Sequence, residues 1–134
     1  MECGITPENI THLYDNEVFV FGSNLAGHHG AGAAKTALQW GAIPGKGEGL
    51  FGQTYALPTK DFNIITRDIP DIYSSVVSLR QCIQDNPDHH FLITKVGCGL
   101  AGLSIDEVAL MFRGFLDIMN CSLPQEFIDK LESK

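Results

Sequence analysis

Two hydrophobic patterns recur along the chain and predict its secondary structure. Short continuous apolar runs predict buried strands over residues 17–21, 54–57 and 91–96. Apolar positions at helical spacing predict helices over residues 33–40, 74–84 and 104–119. Because strands and helices alternate, we expect an α/β three-layer sandwich.

The segments between these elements are less regular. A further short strand is predicted over residues 62–66, and the glycine-rich residues 41–52 predict a surface loop with no regular element. The pattern Ser122-x-x-Gln125 predicts a last helix that starts near Pro124. The helix over 104–119 opens with the capping box Ser104-x-x-Glu107, and its predicted buried face holds Ile105, Val108, Phe112, Phe115 and Met119. With no internal repeat, the 134 residues predict a single domain over 1–134.

Two glycine-rich loops follow predicted strands and precede predicted helices. They are residues 22–32 and residues 97–102. In open α/β sheets, ligands bind at the carboxyl ends of the strands. Unpaired backbone N–H groups and the positive end of a helix dipole suit phosphate there, and glycine lets the backbone come close. The alternative is that these glycines serve only tight turns and close packing.

Neither of the common phosphate-binding fingerprints is present. A P-loop needs its lysine directly after the second glycine of G-x-x-x-x-G. Here Gly27-x-x-x-x-Gly32 is followed by Ala33-Ala34 before Lys35-Thr36, so the pattern is not met. The third glycine of a dinucleotide-binding G-x-G-x-x-G is also missing after Gly30-Ala-Gly32. The sequence therefore argues against a P-loop NTPase and against a dinucleotide-binding Rossmann unit.

The net charge of −7 argues against a surface that attracts nucleic acid or anionic lipid. The charge is unevenly distributed, because residues 22–60 carry Lys35, Lys46 and Lys60 against Glu48 alone. Twelve of the fourteen glycines also lie within residues 22–60 or 97–102. The region that holds the two loops is thus compatible with an anionic ligand.

Other chemistry is not indicated. The four cysteines are scattered with no C-x-x-C pair, and no H-E-x-x-H is present, so we expect free thiols, no metal and no cofactor. Cys98 lies near a predicted helix start, where a thiolate is favoured, but no base for a nucleophile is identifiable. No apolar run approaches the roughly 20 residues of a membrane span, and we expect a cytoplasmic protein.

Four segments together resemble the macrodomain family. Val18–Asn24 is a strand that ends in an asparagine, and Leu25–Ala34 continues it with a glycine run and a helix. Thr94–Gly102 is similar to the second glycine turn of that family. Asn9-Ile-Thr11 and Gly52–Pro58 are similar to the family's Asp-Ile-Thr and to its middle strand.

The resemblance implies a mixed, mostly parallel sheet between helices and a cleft for ADP-ribose or a related nucleotide. It implies that Asn24 contacts the distal ribose as the catalytic position, and that Asn9 meets the adenine edge. Residues 97–102 would wrap the diphosphate from the side opposite the first loop. The full set of implied ligand contacts is Asn9, Ser23, Gly27, Gly30, Ala31, Gly32, Gly97, Cys98, Gly99, Leu100, Ala101 and Gly102.

Two departures from the family leave the activity open. Members that remove ADP-ribose from proteins often carry an aspartate in the glycine run and an aromatic residue in the second loop, whereas this chain has no carboxylate in residues 27–34 and has Ala101. One reading is substrate-assisted hydrolysis of an ADP-ribosyl or O-acetyl-ADP-ribose linkage, with ADP-ribosylated protein as a partner. The others are a non-catalytic reader or sequestering module, and an ADP-ribose-1''-phosphate phosphatase. The charged residues Lys46 and Glu48 belong either to a lid or to a solvated loop.

Overall fold

A computed structural model describes residues 1–133 and contains one six-stranded sheet. The strands are β1 Gly4–Ile5, β2 Glu17–Asn24, β3 Gly49–Phe51, β4 Thr54–Lys60, β5 His90–Ile93 and β6 Cys121–Leu123. Their order in the sheet is β1-β6-β5-β2-β4-β3. All neighbouring strands pair in parallel except β3 with β4, which pair antiparallel. The prediction of a mixed, mostly parallel sheet is therefore confirmed.

Helices cover both faces of the sheet. They are α1 Gly32–Ala37, α2 Ile69–Asp85, α3 Ile105–Met111 and α4 Gln125–Glu132, with 3-10 turns at Leu38–Trp40 and Arg113–Phe115. The larger hydrophobic core lies between the sheet and α2, α3 and α4. The smaller core lies on the opposite face, under α1. The predicted α/β sandwich is confirmed, and its two outer layers are unequal.

None of the helices in residues 1–133 combines the length and apolarity that crossing a bilayer requires.

Strand β2 contributes to both cores because successive side chains of a strand point to opposite faces. Val18 and Val20 are fully buried in the larger core, and Phe19 and Phe21 are buried in the smaller one. This is why residues 18–21 form a continuous apolar run, which is typical of a parallel strand covered on both sides.

Strands β2 and β4 run further than the sequence predicts, whereas β5 ends at Ile93, three residues before its predicted end. Strand β2 continues to Asn24, and β4 continues through Pro58 to Lys60. The carbonyl of Pro58 accepts a hydrogen bond from the Arg67 guanidinium, at 2.8 Å. The N–H that Pro58 lacks would point to the same side as this carbonyl, away from β2. Strand β3 does not extend as far as Pro58, so no hydrogen bond of the sheet is lost there.

Several predicted elements are wrong. Residues 62–66 form a turn rather than a strand, and β3 lies within residues 41–52, which were expected to hold no regular element. The short strands β1 and β6 escape prediction, because their stability comes from pairing with each other and with β5. Helix α4 begins at Gln125, which confirms the predicted start near Pro124, but Ser122 lies in β6 and caps no helix.

The helix boundaries also differ from the prediction. Helix α2 starts at Ile69, five residues before the predicted start, with Pro70 in its first turn, which proline tolerates. Helix α3 ends at Met111, and a 3-10 turn that contains Gly114 follows it. Met119 was expected on the buried face but lies outside any helix with 74% of its surface exposed.

Candidate functional site

A cleft of about 450 Å³ lies at the carboxyl ends of β2, β4 and β5. The two glycine loops form opposite walls of this cleft. The predicted site residues that line it are Ser23, Asn24, Gly30, Ala31, Gly32, Gly97, Gly99, Leu100 and Ala101. A cleft of this size is in the range of small-molecule sites, which is roughly 300–1,000 Å³.

Asn24 ends β2 and shapes the first loop. Its side-chain carbonyl accepts a hydrogen bond from the His28 backbone N–H at 3.0 Å, and its amide donates to the His28 backbone carbonyl at 2.9 Å. The side chain is only 8% exposed. Since a carboxamide has two N–H donors and two lone pairs, one donor and one acceptor remain for a ligand. Asn24 is therefore a turn-forming residue and a candidate ligand contact at once.

The second loop is held by its own backbone. Leu103 donates its N–H to the carbonyl of Gly97 at 2.9 Å, and Gly102 donates to Gly99 at 3.0 Å. Gly97 has a φ of +79°, which places it in the left-handed region, where glycine carries no steric penalty. The loop thus turns sharply at Gly97 and extends residues 99–101 along the cleft.

Backbone donors from both loops are free within the described part of the chain. The N–H groups of Gly30 and Ala31 in the first loop, and of Gly99, Leu100 and Ala101 in the second, donate to no protein acceptor among residues 1–133. All five residues line the cleft. Unpaired N–H groups that converge on one space suit a ligand with several acceptor oxygens, such as a phosphate.

The helix dipoles expected from the sequence contribute less than these N–H groups. Helix α1 has only six residues, and the second loop ends before α3 begins. The first turn of α3 is also occupied, because Ser104 accepts from the Glu107 N–H at 3.1 Å and Glu107 accepts from the Ser104 N–H at 3.1 Å. That capping box satisfies the helix terminus from within the chain. The second wall is therefore a loop rather than a helix end.

Two lysines supply positive charge at the cleft. Lys60 lines it at the end of β4 and forms no ion pair in residues 1–133, and Lys95 lines it just after β5. Lys95 Nζ lies 2.9 Å from a Glu126 oxygen and 3.7 Å from a Glu8 oxygen. The hydrogen bond to Glu126 raises the pKa of Lys95 and lowers the pKa of Glu126. Lys95 is thus charged and shared between carboxylates at the cleft wall.

A second pocket of about 300 Å³ adjoins the cleft and contains Asn9. The two spaces share Ala33, Thr94 and Lys95 as walls. The second pocket lies toward β6, since Pro124 and Glu126 line it. Asn9 lies fifteen positions before Asn24 in the sequence, and the fold places it in a pocket that shares walls with the cleft of Asn24.

Besides Asn9, which lines the second pocket, three of the predicted contacts do not line the cleft: Gly27, Cys98 and Gly102. The Gly27 carbonyl accepts from the Gly45 N–H at 3.0 Å, and a side chain at Gly27 would collide with Gly45. The Cys98 thiol contacts the larger core, and its burial raises its pKa, contrary to the expected thiolate. Burial therefore disfavours the thiolate form of Cys98 that a nucleophile needs.

The segment with Lys46 and Glu48 packs behind the first loop instead of covering the cleft. Ser23 donates its hydroxyl to the Gly47 carbonyl, and His29 Nε2 lies 3.3 Å from the Lys46 carbonyl. His29 is buried against Phe21, although adjacent loop histidines are usually exposed. This segment is a support of the first loop, and neither charged residue lines the cleft.

Sequence reasoning missed Thr94, Lys95 and Ile64 as cleft residues. For Thr94 and Lys95 a signal was present, because both lie at the carboxyl end of a predicted strand, between its apolar core and the glycine loop. For Ile64 no signal was present, since an isoleucine in a predicted strand gives no reason to expect a ligand contact.

Comparison of the chain with known proteins finds no matching family model, no matching curated protein and no matching solved structure. Within residues 1–133, no group of three or more His, Cys, Asp or Glu side chains is placed to hold a metal ion, and the four cysteines are free thiols. The function of the cleft therefore has to be inferred from its own geometry.

We predict that Gly47→Ala destabilises the protein while Gly30→Ala does not. A Cβ at Gly47 would overlap the Asn24 backbone carbonyl, whereas a Cβ at Gly30 meets nothing within 4 Å and its φ is not left-handed. Overpacking of this kind lowers the free energy of unfolding by about 1–3 kcal/mol, and a change in open space by less than about 0.5 kcal/mol. Urea denaturation measures both. Equal stability of the two variants would contradict the packing of residues 45–48 against the first loop.

Proposed function

We propose that this protein binds ADP-ribose or a closely related nucleoside-diphosphate ribose, as its resemblance to the macrodomain family implies. The observation that carries the proposal is the set of unpaired N–H groups that two glycine loops present to one cleft. A diphosphate has enough acceptor oxygens to use donors from both walls. The expected cytoplasmic location remains a prediction.

The shape of the surface supports a ligand with a diphosphate in its middle. The cleft and the Asn9 pocket adjoin along Thr94 and Lys95, so in the proposed arrangement one ligand passes these residues and occupies both. In the proposed arrangement the adenosine lies in the Asn9 pocket, the diphosphate lies between the loops, and the distal ribose lies near Asn24. The Asn9 carboxamide can accept a hydrogen bond from an amino group and donate one to a ring nitrogen.

The composition of the cleft wall favours binding over catalysis. Among the described residues that line the cleft, none is an aspartate or a glutamate. Hydrolysis by general-base catalysis commonly uses such a carboxylate to activate water. A binding module, which recognises the free nucleotide or an ADP-ribosylated protein, needs only the N–H groups, Lys60 and Lys95.

Titration calorimetry with ADP-ribose tests the proposal. We expect binding with a Kd below about 100 μM. The variant Gly99→Val is expected to weaken binding by about tenfold or more, because position 99 lines the cleft and a Cβ there meets no protein atom within 4 Å. The added side chain would occupy space that the ligand needs without disturbing the fold.

The matched control is Ser74→Val, which places the same side chain on the exposed side of α2, away from the cleft. We expect it to leave the affinity unchanged. Thermal unfolding establishes that all three proteins are folded. A folded wild-type protein that gives no heat at millimolar ADP-ribose would exclude the proposed function.

The Lys95–Glu126 pair provides a second test, because its two members should change affinity in opposite directions. We expect Lys95→Met to weaken ADP-ribose binding by about threefold to tenfold, since it removes a cation from the cleft wall. We expect Glu126→Gln to strengthen binding by about twofold to fivefold, since it removes the carboxylate that competes with phosphate for Lys95. Calorimetry measures both. If the pair only stabilises the fold, neither affinity changes beyond what the loss of stability explains.

Hydrolysis of an ADP-ribosyl or O-acetyl-ADP-ribose linkage is the second candidate. The observation that favours it is the remaining donor and acceptor of the Asn24 carboxamide, which can hold a water molecule beside a bound ribose. His28 lines the same wall and is a candidate base.

We expect no turnover when the protein is incubated with O-acetyl-ADP-ribose, with ADP-ribosylated protein or with ADP-ribose-1''-phosphate. Product release, followed by chromatography and a phosphate assay, measures it. If the protein shows turnover that Asn24→Ala and His28→Gln abolish while both variants stay folded, the protein is a hydrolase and not a binding module. Release of phosphate alone would indicate a phosphatase. In each case the cleft assignment stands and only the activity changes.

A further inference from the structure

Ile64 has a backbone conformation that its side chain disfavours. Its φ is +63°, and it is the only non-glycine residue with a positive φ in the described chain. The left-handed region is a genuine outlier for a β-branched residue. Such strain persists only where the surrounding structure imposes it, and it concentrates at functional sites.

The turn around Ile64 imposes this conformation. Asp61 donates its N–H to the Ile65 carbonyl at 2.8 Å and accepts the Asn63 and Ile65 N–H groups on its side-chain oxygen at 2.8 and 3.0 Å. Lys60 and Thr66 pair on either side as an antiparallel bridge. Three-residue hairpin loops of this kind place their last residue in the left-handed region, which glycine usually occupies. Here isoleucine occupies it.

The Ile64 side chain belongs to an apolar rim of the cleft. Ile64 is 42% exposed, Leu100 is 77% exposed, and both line the cleft. The Thr66 hydroxyl donates to the Ala101 carbonyl at 2.8 Å, which joins the turn to the second loop. We call Ile64 and Leu100 the apolar rim. It lies beside the free N–H groups of residues 99–101, so apolar and anion-binding surfaces are continuous.

The order of the sheet fixes where this rim lies. The Asn9 pocket is on the β6 side of the cleft, Asn24 ends the central strand β2, and the turn of Ile64 follows β4 on the other side. A ligand that extends from the Asn9 pocket past the glycine loops therefore reaches the apolar rim with its far end.

We propose that the apolar rim binds an uncharged hydrocarbon group at the far end of the phosphorylated ligand, and that Ile64 is strained because this contact requires its side chain. The proposal rests on the proposed function only in that the cleft takes a phosphorylated ligand. At this end of the ligand the site accepts an aliphatic substituent in preference to an anionic one.

Alkyl phosphates test this without any nucleotide. We expect methyl, butyl and hexyl phosphate to bind with affinity that rises by about twofold for each added methylene, as partial burial of a hydrocarbon chain predicts. Two-dimensional NMR titration with labelled isoleucine methyl groups measures the affinity and reports contact with Ile64. In Ile64→Asn, which keeps a residue that tolerates the left-handed region, and in Leu100→Ser, we expect the dependence on chain length to disappear.

The conformational part of the proposal has its own test. We expect Ile64→Gly to raise the thermal midpoint by about 3 °C, because glycine relieves the left-handed strain, and also to lose the dependence on chain length. The matched control Ile65→Gly changes an exposed neighbour that does not line the cleft, and we expect it to lower the midpoint and keep that dependence.

The outcomes separate this proposal from the nucleotide proposal. Affinity that is independent of chain length, failure of all three alkyl phosphates to bind, or chain-length dependence that survives in Ile64→Asn and Leu100→Ser would overturn the role of the rim. If ADP-ribose fails to bind while hexyl phosphate binds better than methyl phosphate, the nucleotide proposal falls and the rim stands. If ADP-ribose binds and the length of the alkyl chain has no effect, the nucleotide proposal stands and the proposed role of the apolar rim falls.

Discussion

Strand β2 is buried on both faces, so its side chains pack against both helical layers. Val18 and Val20 hold the larger helical layer, and Phe19 and Phe21 hold the smaller one, so this strand fixes the separation of both layers from the sheet. Its pairing with β4 and β5 places three carboxyl ends side by side. Because Asn24 is the last residue of the same strand, the position of the candidate site follows directly from the packing of the core.

The glycines near this edge have two different physical roles. At Gly27 and Gly47 the absence of a side chain lets two backbone segments touch, and these contacts support the first loop from behind. At Gly30 and Gly99 the space beside the backbone is open, and it belongs to the cleft. The structure thus shows close packing at Gly27 and Gly47 and open space at Gly30 and Gly99, which is where the proposed ligand would approach the backbone.

An acidic chain is compatible with the proposed binding of an anion in the cleft because the charges are separated in space. Glu8 and Glu126, which line the adjoining Asn9 pocket, are paired with Lys95, and no carboxylate among residues 1–133 lines the cleft itself. On the β4 side of the cleft, the apolar rim of Ile64 and Leu100 carries no charged side chain. The surface thus changes from ionic to hydrogen-bonding to apolar across the strands, and this order describes the kind of molecule that we propose it accepts.

Features with a local signal could be predicted from the sequence: the apolar run of β2, the helical spacing of α2, the capping box at Ser104 and the two glycine loops after strands. The other features depend on contacts that form only in the folded chain. Strands β1 and β6 exist because distant partners supply their hydrogen bonds, Gly27 and Gly47 are distinguished from Gly30 by what lies next to them, and Ile64 takes a left-handed conformation because Asp61 and Thr66 close the turn around it. Pairing, close approach and strain arise between residues far apart in the chain or against a residue's own preference, so no local pattern encodes them.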